Sequence, residues 1–113
     1  MALKKNNYKP KKNLQEEEII PNGCIVSKSI YEKKTDIRWL YRDEAINEMD
    51  SGWRAFGDTK DKDLIIVDID TLIKLVPIIN HVKDYPVGTD LEYHVDAAGP
   101  YFTETKTKTR LWF

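Results

Sequence analysis

The sequence has one cysteine, Cys24, in 113 residues, so it can form neither an internal disulfide nor a Cys-x-x-Cys pair for zinc or redox work. That is the thiol usage of a reducing compartment. No run approaches the roughly 18 consecutive apolar residues of a membrane-spanning helix, and no apolar segment of signal-peptide length follows the lysines of residues 1–13. The expectation is a soluble, cytoplasmic protein with no membrane partner. Also missing are a glycine-rich phosphate loop, a Gly-x-Ser-x-Gly elbow and a His-Glu-x-x-His pair, which removes the commonest signatures of nucleotide, acyl-transfer and metalloprotease chemistry. With 41% hydrophobic residues, the chain has enough apolar material for one core and too few residues for two.

Charge is present but unevenly placed. Residues 1–34 carry 8 Lys/Arg against 4 Asp/Glu, residues 35–100 carry 7 against 14, and residues 101–113 carry 3 against 1. An acidic middle is poorly suited to a phosphate backbone, which is bound through Lys and Arg, and better suited to a basic protein partner.

Residues 1–18 are lysine-rich and polar and offer little to bury, so they read as a flexible lead-in to a single domain over residues 19–113. After the Pro21-Asn22-Gly23 turn, strands are expected near residues 24–30, 36–42, 52–56, 64–69 and 90–96, from β-branched composition or period-two alternation. Leu64-Ile65-Ile66-Val67 is apolar throughout, the pattern of a central strand. Asp70 is placed to cap a helix whose Leu72, Leu75, Val76 and Ile79 recur at helical spacing, with Pro77 breaking it and starting a second turn. The alternating Thr-Lys segment after Gly99-Pro100 reads as an exposed edge strand closing a hairpin. Together these give an α+β domain, a mainly antiparallel sheet with one or two short helices on one face.

Candidate chemistry is thin. Cys24 with His81 or His94 would make a nucleophile and base, but nothing flanks the cysteine like a nucleophile motif, and a buried thiol with two surface imidazoles explains the same residues. Asp68 and Asp70 at a strand end could hold Mg2+ or Mn2+, yet two acids make an incomplete site. The reading is therefore no enzyme, no catalytic residue, no cofactor and no metal. The most individual stretch is Trp39-Leu40-Tyr41-Arg42-Asp43-Glu44, followed by Asp50-Ser51-Gly52-Trp53-Arg54-Ala55-Phe56-Gly57-Asp58. Asp50-Ser51-Gly52 is turn chemistry that delivers Trp53 onto a sheet as a structural anchor. The Trp, Tyr and Arg around it are residue types enriched in interface hot spots.

In their order and spacing these words resemble a bacterial family, immunity protein family thirty-three of polymorphic toxin systems, formerly a domain of unknown function. The resemblance also takes in Cys24-Ile25-Val26-Ser27 with Ile30, Val67-Asp68-Ile69-Asp70-Thr71-Leu72-Ile73, Pro77-Ile78-Ile79 and Pro86-Val87-Gly88-Thr89, and spans about residues 24–93. It departs after Gly57-Asp58, where the family continues with further acids and a tyrosine and this chain moves directly to the next strand. The resemblance implies a protein that shields its maker by binding a toxin's effector domain. Alternatives from other classes are an adaptor or regulatory domain, a nucleic-acid accessory protein and a small enzyme. The expected partner surface combines the acids Asp43, Glu44, Glu48, Asp58, Asp61 and Asp63, which would steer a basic partner, with Trp39, Tyr41 and Arg42 as anchors wherever they are exposed.

Overall fold

A computed structural model describes residues 20–57 and 62–113. The expected lead-in of residues 1–18 lies outside them. The elements run β1 (Gly23–Ser27), α1 (Lys28–Tyr31), β2 (Trp39–Arg42), β3 (Asp50–Phe56), β4 (Leu64–Asp68), α2 (Ile69–Leu75), a 3-10 helix (Pro77–His81), β5 (Asp90–Asp96) and β6 (Gly99–Glu104). The strands form one six-stranded sheet in the order β4-β1-β3-β2-β5-β6, antiparallel at every neighbouring pair except β1 and β3. The class is α+β, as the element pattern implies.

Alternation sorts the strand residues onto two faces. Cys24, Val26, Leu40, Trp53, Ala55, Val67, Leu91 and Phe102 share one buried cluster with Leu72, Val76, Ile79 and Val82, so α2 and the 3-10 helix cover this face. The helical stripe docks as its spacing predicts, each buried side chain contributing about 1.5–3 kcal/mol. Leu75 is half-buried against the same cluster. Pro77 is the first residue of the 3-10 helix, and the break falls at Val76, whose φ of −136° leaves the helical region. On the opposite face Ile25, Trp39, Tyr41 and Phe56 form a second buried cluster with Leu64 and Ile66 against it.

Four sequence expectations are corrected. The first strand ends at Ser27, because the Lys28 amide donates to the Asp63 carbonyl and the chain turns through α1, which drops Ile30 into the core. The Leu64–Val67 run is an edge strand: Ile65 and Val67 join the helix-side cluster while Leu64 and Ile66 join the other, so two apolar faces arise without a central position. Asp68 caps α2, its Oδ1 accepting from the Thr71 amide at 2.7 Å, and Asp70 lies exposed within the first turn. Finally, the Thr-Lys alternation is a turn. Glu104 Oε1 accepts from the Lys106 and Thr107 amides, Lys108 takes a φ of 62°, and the chain returns to bridge Thr103 with Arg110.

Candidate functional site

The Asp50-Ser51-Gly52-Trp53-Arg54 segment departs from regular pairing. Against the parallel neighbour β1, Gly23 is opposite Asp50 but Ile25 is opposite Arg54, so β3 packs extra residues into the same length as a bulge. Gly52 makes the bulge possible, with a φ of +89°, and a Cβ there would collide with the Asp43 carbonyl oxygen. The local bonds follow from that contraction. Ser51 Oγ donates to the Gly23 carbonyl at 2.7 Å and accepts from the Trp53 amide at 3.1 Å, while Asp50 Oδ1 accepts from the Gly52 amide at 2.9 Å.

The contraction also brings Arg54 back to Asp50. Nη1 and Nη2 donate to Oδ1 and Oδ2 at 2.8 and 2.7 Å, a two-pronged ion pair whose side chains are only 2% and 6% exposed. Burial alone raises the Asp50 carboxyl, but bonds from Arg54 and from the Gly52 and Ile46 amides outweigh it and hold its pKa below the usual carboxylate value. This pair escaped the sequence reading. An ideal strand would separate residues i and i+4 by roughly 13 Å, and only the glycine bulge shortens that distance.

Arg42 and Trp53 then tie residues 83–89 to the motif. Arg42 Nε donates to the Ser51 carbonyl at 3.0 Å and Nη1 to the Tyr85 carbonyl at 2.8 Å, with the guanidinium over the Trp53 ring at 5.5 Å. Its backbone amide donates to the Thr89 carbonyl, and its carbonyl accepts from the Gly88 amide. Trp53 Nε1 donates to the Lys83 carbonyl at 3.0 Å. On the other side the Met49 carbonyl accepts from the Gly23 amide, and the Gly52 carbonyl from Asp43. Residues 43–49 and 83–89 therefore meet at one end of the sheet, where β2 ends and β3 and β5 begin. They carry Asp43, Glu44, Glu48 and Asp84 against one lysine, Lys83. They also expose Ile46, Met49, Tyr85 and Val87.

The expected partner surface is divided by this geometry. Asp43 is half-buried, while Glu44 and Glu48 are exposed, all at the bulge end. Asp63 is exposed at the opposite end, beside the start of β4, about 20 Å away along a seven-residue strand. Asp58 and Asp61 lie outside the described residues. Trp39 and Tyr41 are not exposed anchors: they sit in the second cluster, Tyr41 meeting Phe56 edge-on at 5.8 Å. Arg42 is half-buried and turned inward on the loop carbonyls. The exposed apolar residues of the two loops were missed. Their signal in the sequence is Ile46 and Met49 set among acids, and Tyr85 and Val87 around a proline.

A second surface also went unread. Arg110 lies between the rings of Tyr101 and Trp112, 4.1 and 4.0 Å from their centroids, His94 stacks on Tyr101 at 5.0 Å, and Trp112 is 76% exposed. Asp96 pairs with Arg110 at 3.4 Å. Each such cation–ring contact contributes about 0.5–1 kcal/mol at an exposed site.

The candidate chemistry resolves into structural roles. His94 Nε2 bonds Thr103 Oγ1 at 2.8 Å, and His81 stacks on Phe113. The Cys24 sulfur has Ser51 Oγ at 3.3 Å and the Asn22 carbonyl at 3.8 Å as polar neighbours. Burial, only partly offset by the Ser51 bond, pushes its pKa up to about 11. At pH 8 about one thiol in a thousand is ionised, so native protein should resist a thiol reagent that labels it at once in urea. Labelling of folded protein at the rate of a free thiol would contradict this burial. Among the described residues, no three His, Cys, Asp or Glu side chains come together as metal ligands would, and no helix is long and apolar enough to cross a membrane.

The family model for the Immunity protein Imm33 domain matches residues 24–103. The match runs from β1 into β6 and includes the bulge and both loops. No curated protein and no solved structure matches the chain.

Proposed function

The chain belongs to the Imm33 immunity-protein family, and from that premise we propose that it neutralises a cognate toxin in the cytoplasm by binding the toxin's effector domain, with no chemistry of its own. The family match over residues 24–103 carries this reading. The fold supports it: Asp50 and Arg54 are committed to each other and to the local backbone, and the conspicuous exposed groups at the bulge end are of the kind that contact other proteins. Immunity of this type is stoichiometric occlusion, in which the inhibitor covers the surface the toxin needs.

Co-expression tests it. Cells making the effector domain of the toxin encoded beside this gene should survive when they also make this protein, and the two should co-purify at one to one. Survival without a complex would point to an enzymatic or indirect role, and absence of both survival and binding would overturn the assignment.

A further inference from the structure

We propose that the loops of residues 43–49 and 83–89 form a single docking surface, with Ile46, Met49, Tyr85 and Val87 as its apolar contacts and Glu44, Glu48 and Asp84 as its rim, shaped for a Lys/Arg-rich protein face. The proposal rests on the immunity reading for the partner's identity and on the geometry for its place.

Three observations carry it. The first is composition: exposed apolar groups among mostly acidic side chains reproduce the apolar centre and polar rim of protein interfaces. The second is charge complementarity. Two exposed carboxylates on one loop and one on the other stand against the single ammonium of Lys83, while Arg42, the nearest guanidinium, is spent on the Ser51 and Tyr85 carbonyls. Such a surface repels a phosphate backbone and attracts a basic face. The third is preorganisation. Arg42 holds residues 83–89 through three hydrogen bonds, to Tyr85, Gly88 and Thr89, and the Trp53 indole fixes Lys83; residues 43–49 are held by the Asp43 amide on the Gly52 carbonyl, the Gly23 amide on the Met49 carbonyl and the Ile46 amide on Asp50 Oδ2 at 2.9 Å, so little loop entropy remains to be lost on binding. From Met49, bonded to β1, to Val87, leading into β5, the surface crosses four strands, about 14 Å. That fits within one side of a standard interface of about 800 Å2. The aromatic edge around Trp112 is the competing surface, but its arginine is already paired with Asp96 and it extends beyond the family match.

The test measures association of the adjoining toxin's effector domain with wild-type and variant full chain across a salt series. The triple variant Glu44→Lys, Glu48→Lys, Asp84→Lys should slow association about tenfold or more at low salt and flatten its salt dependence. Ile46→Ala with Val87→Ala should weaken affinity about tenfold, mainly through faster dissociation. Both sets lie in exposed side chains, so unfolding midpoints should match the wild type and establish that any loss is local. Trp112→Ala and Asp63→Asn should leave binding unchanged. If wild type binds and the loop variants bind equally well, or if Trp112→Ala is the weaker binder, the surface is wrong while the immunity reading stands. If wild type does not bind, both fall.

Discussion

Replacing Arg54 by methionine should lower the unfolding free energy by about 3–5 kcal/mol, the usual cost of stranding one member of a buried ion pair. The Asp50 carboxylate would keep its bonds from Gly52 and Ile46 but lose both prongs of the guanidinium in a nearly water-free place. Asp50→Asn should also destabilise, leaving the cation without its counter-charge. The double variant Asp50→Leu, Arg54→Met should lose much less than the two single changes combined, since removing both charges leaves neither one stranded. Urea unfolding of the four proteins gives the coupling directly, and simple additivity would show that the pair does not act as a unit.

The same pair sets an acid limit. Because the folded Asp50 pKa lies below its unfolded value of about 3.9, its contribution is complete above that value and is lost as pH falls through the folded pKa. Wild-type stability should therefore decline below about pH 4. Arg54→Met removes two of the influences that lower that pKa, so the stability it loses as pH falls below about 4 should be smaller than in wild type.

Trp53→Ala should cost a further-reaching 3–5 kcal/mol or so, the range for deleting a buried aromatic ring. The indole is 1% exposed, lies in the helix-side cluster, supports the Arg42 guanidinium and holds the Lys83 carbonyl. Trp53→Phe separates these roles. It keeps most of the ring and forfeits the Nε1 bond, so it should lose about 1 kcal/mol for that bond beyond any change in packing. Urea midpoints for the two variants within experimental error of wild type would remove Trp53 from the scaffold.

Much of this architecture was legible because single residues speak for themselves. The positive φ of Gly52, the buried Trp53, the stripe from Leu72 to Ile79 and the break before Pro77 each follow from local rules. What escaped depends on arrangement. Leu64–Val67 reads as central because it is apolar on both faces, and nothing local says that the sheet's second face carries an apolar cluster reaching its edge. Asp63 and Glu44 look like companions in an acidic stretch, yet the chain passes from one end of the sheet to the other between them. The Thr-Lys alternation fits a strand and a polar turn equally, and the bonds to Glu104 decide between them. Glu44 and Glu48 stand out in the sequence as charges, whereas the exposure of Ile46 and Met49 does not, because they stand in a segment of high charge.

The position of β1 also orders events during synthesis. It is the first described strand to leave the ribosome, but both of its neighbours come later, β3 after β2 and β4 after β3. Until β4 is made, the Cys24–Val26 segment cannot complete its backbone pairing, and the parallel ladder to β3 is a non-local closure of the slow kind. The β2–β3 and β5–β6 hairpins can close without waiting for it. A nascent chain that ends before Asp50 thus carries β1 with both edges open, and one that ends before Leu64 still has one edge open, so the strand is exposed to mispairing until β4 is made.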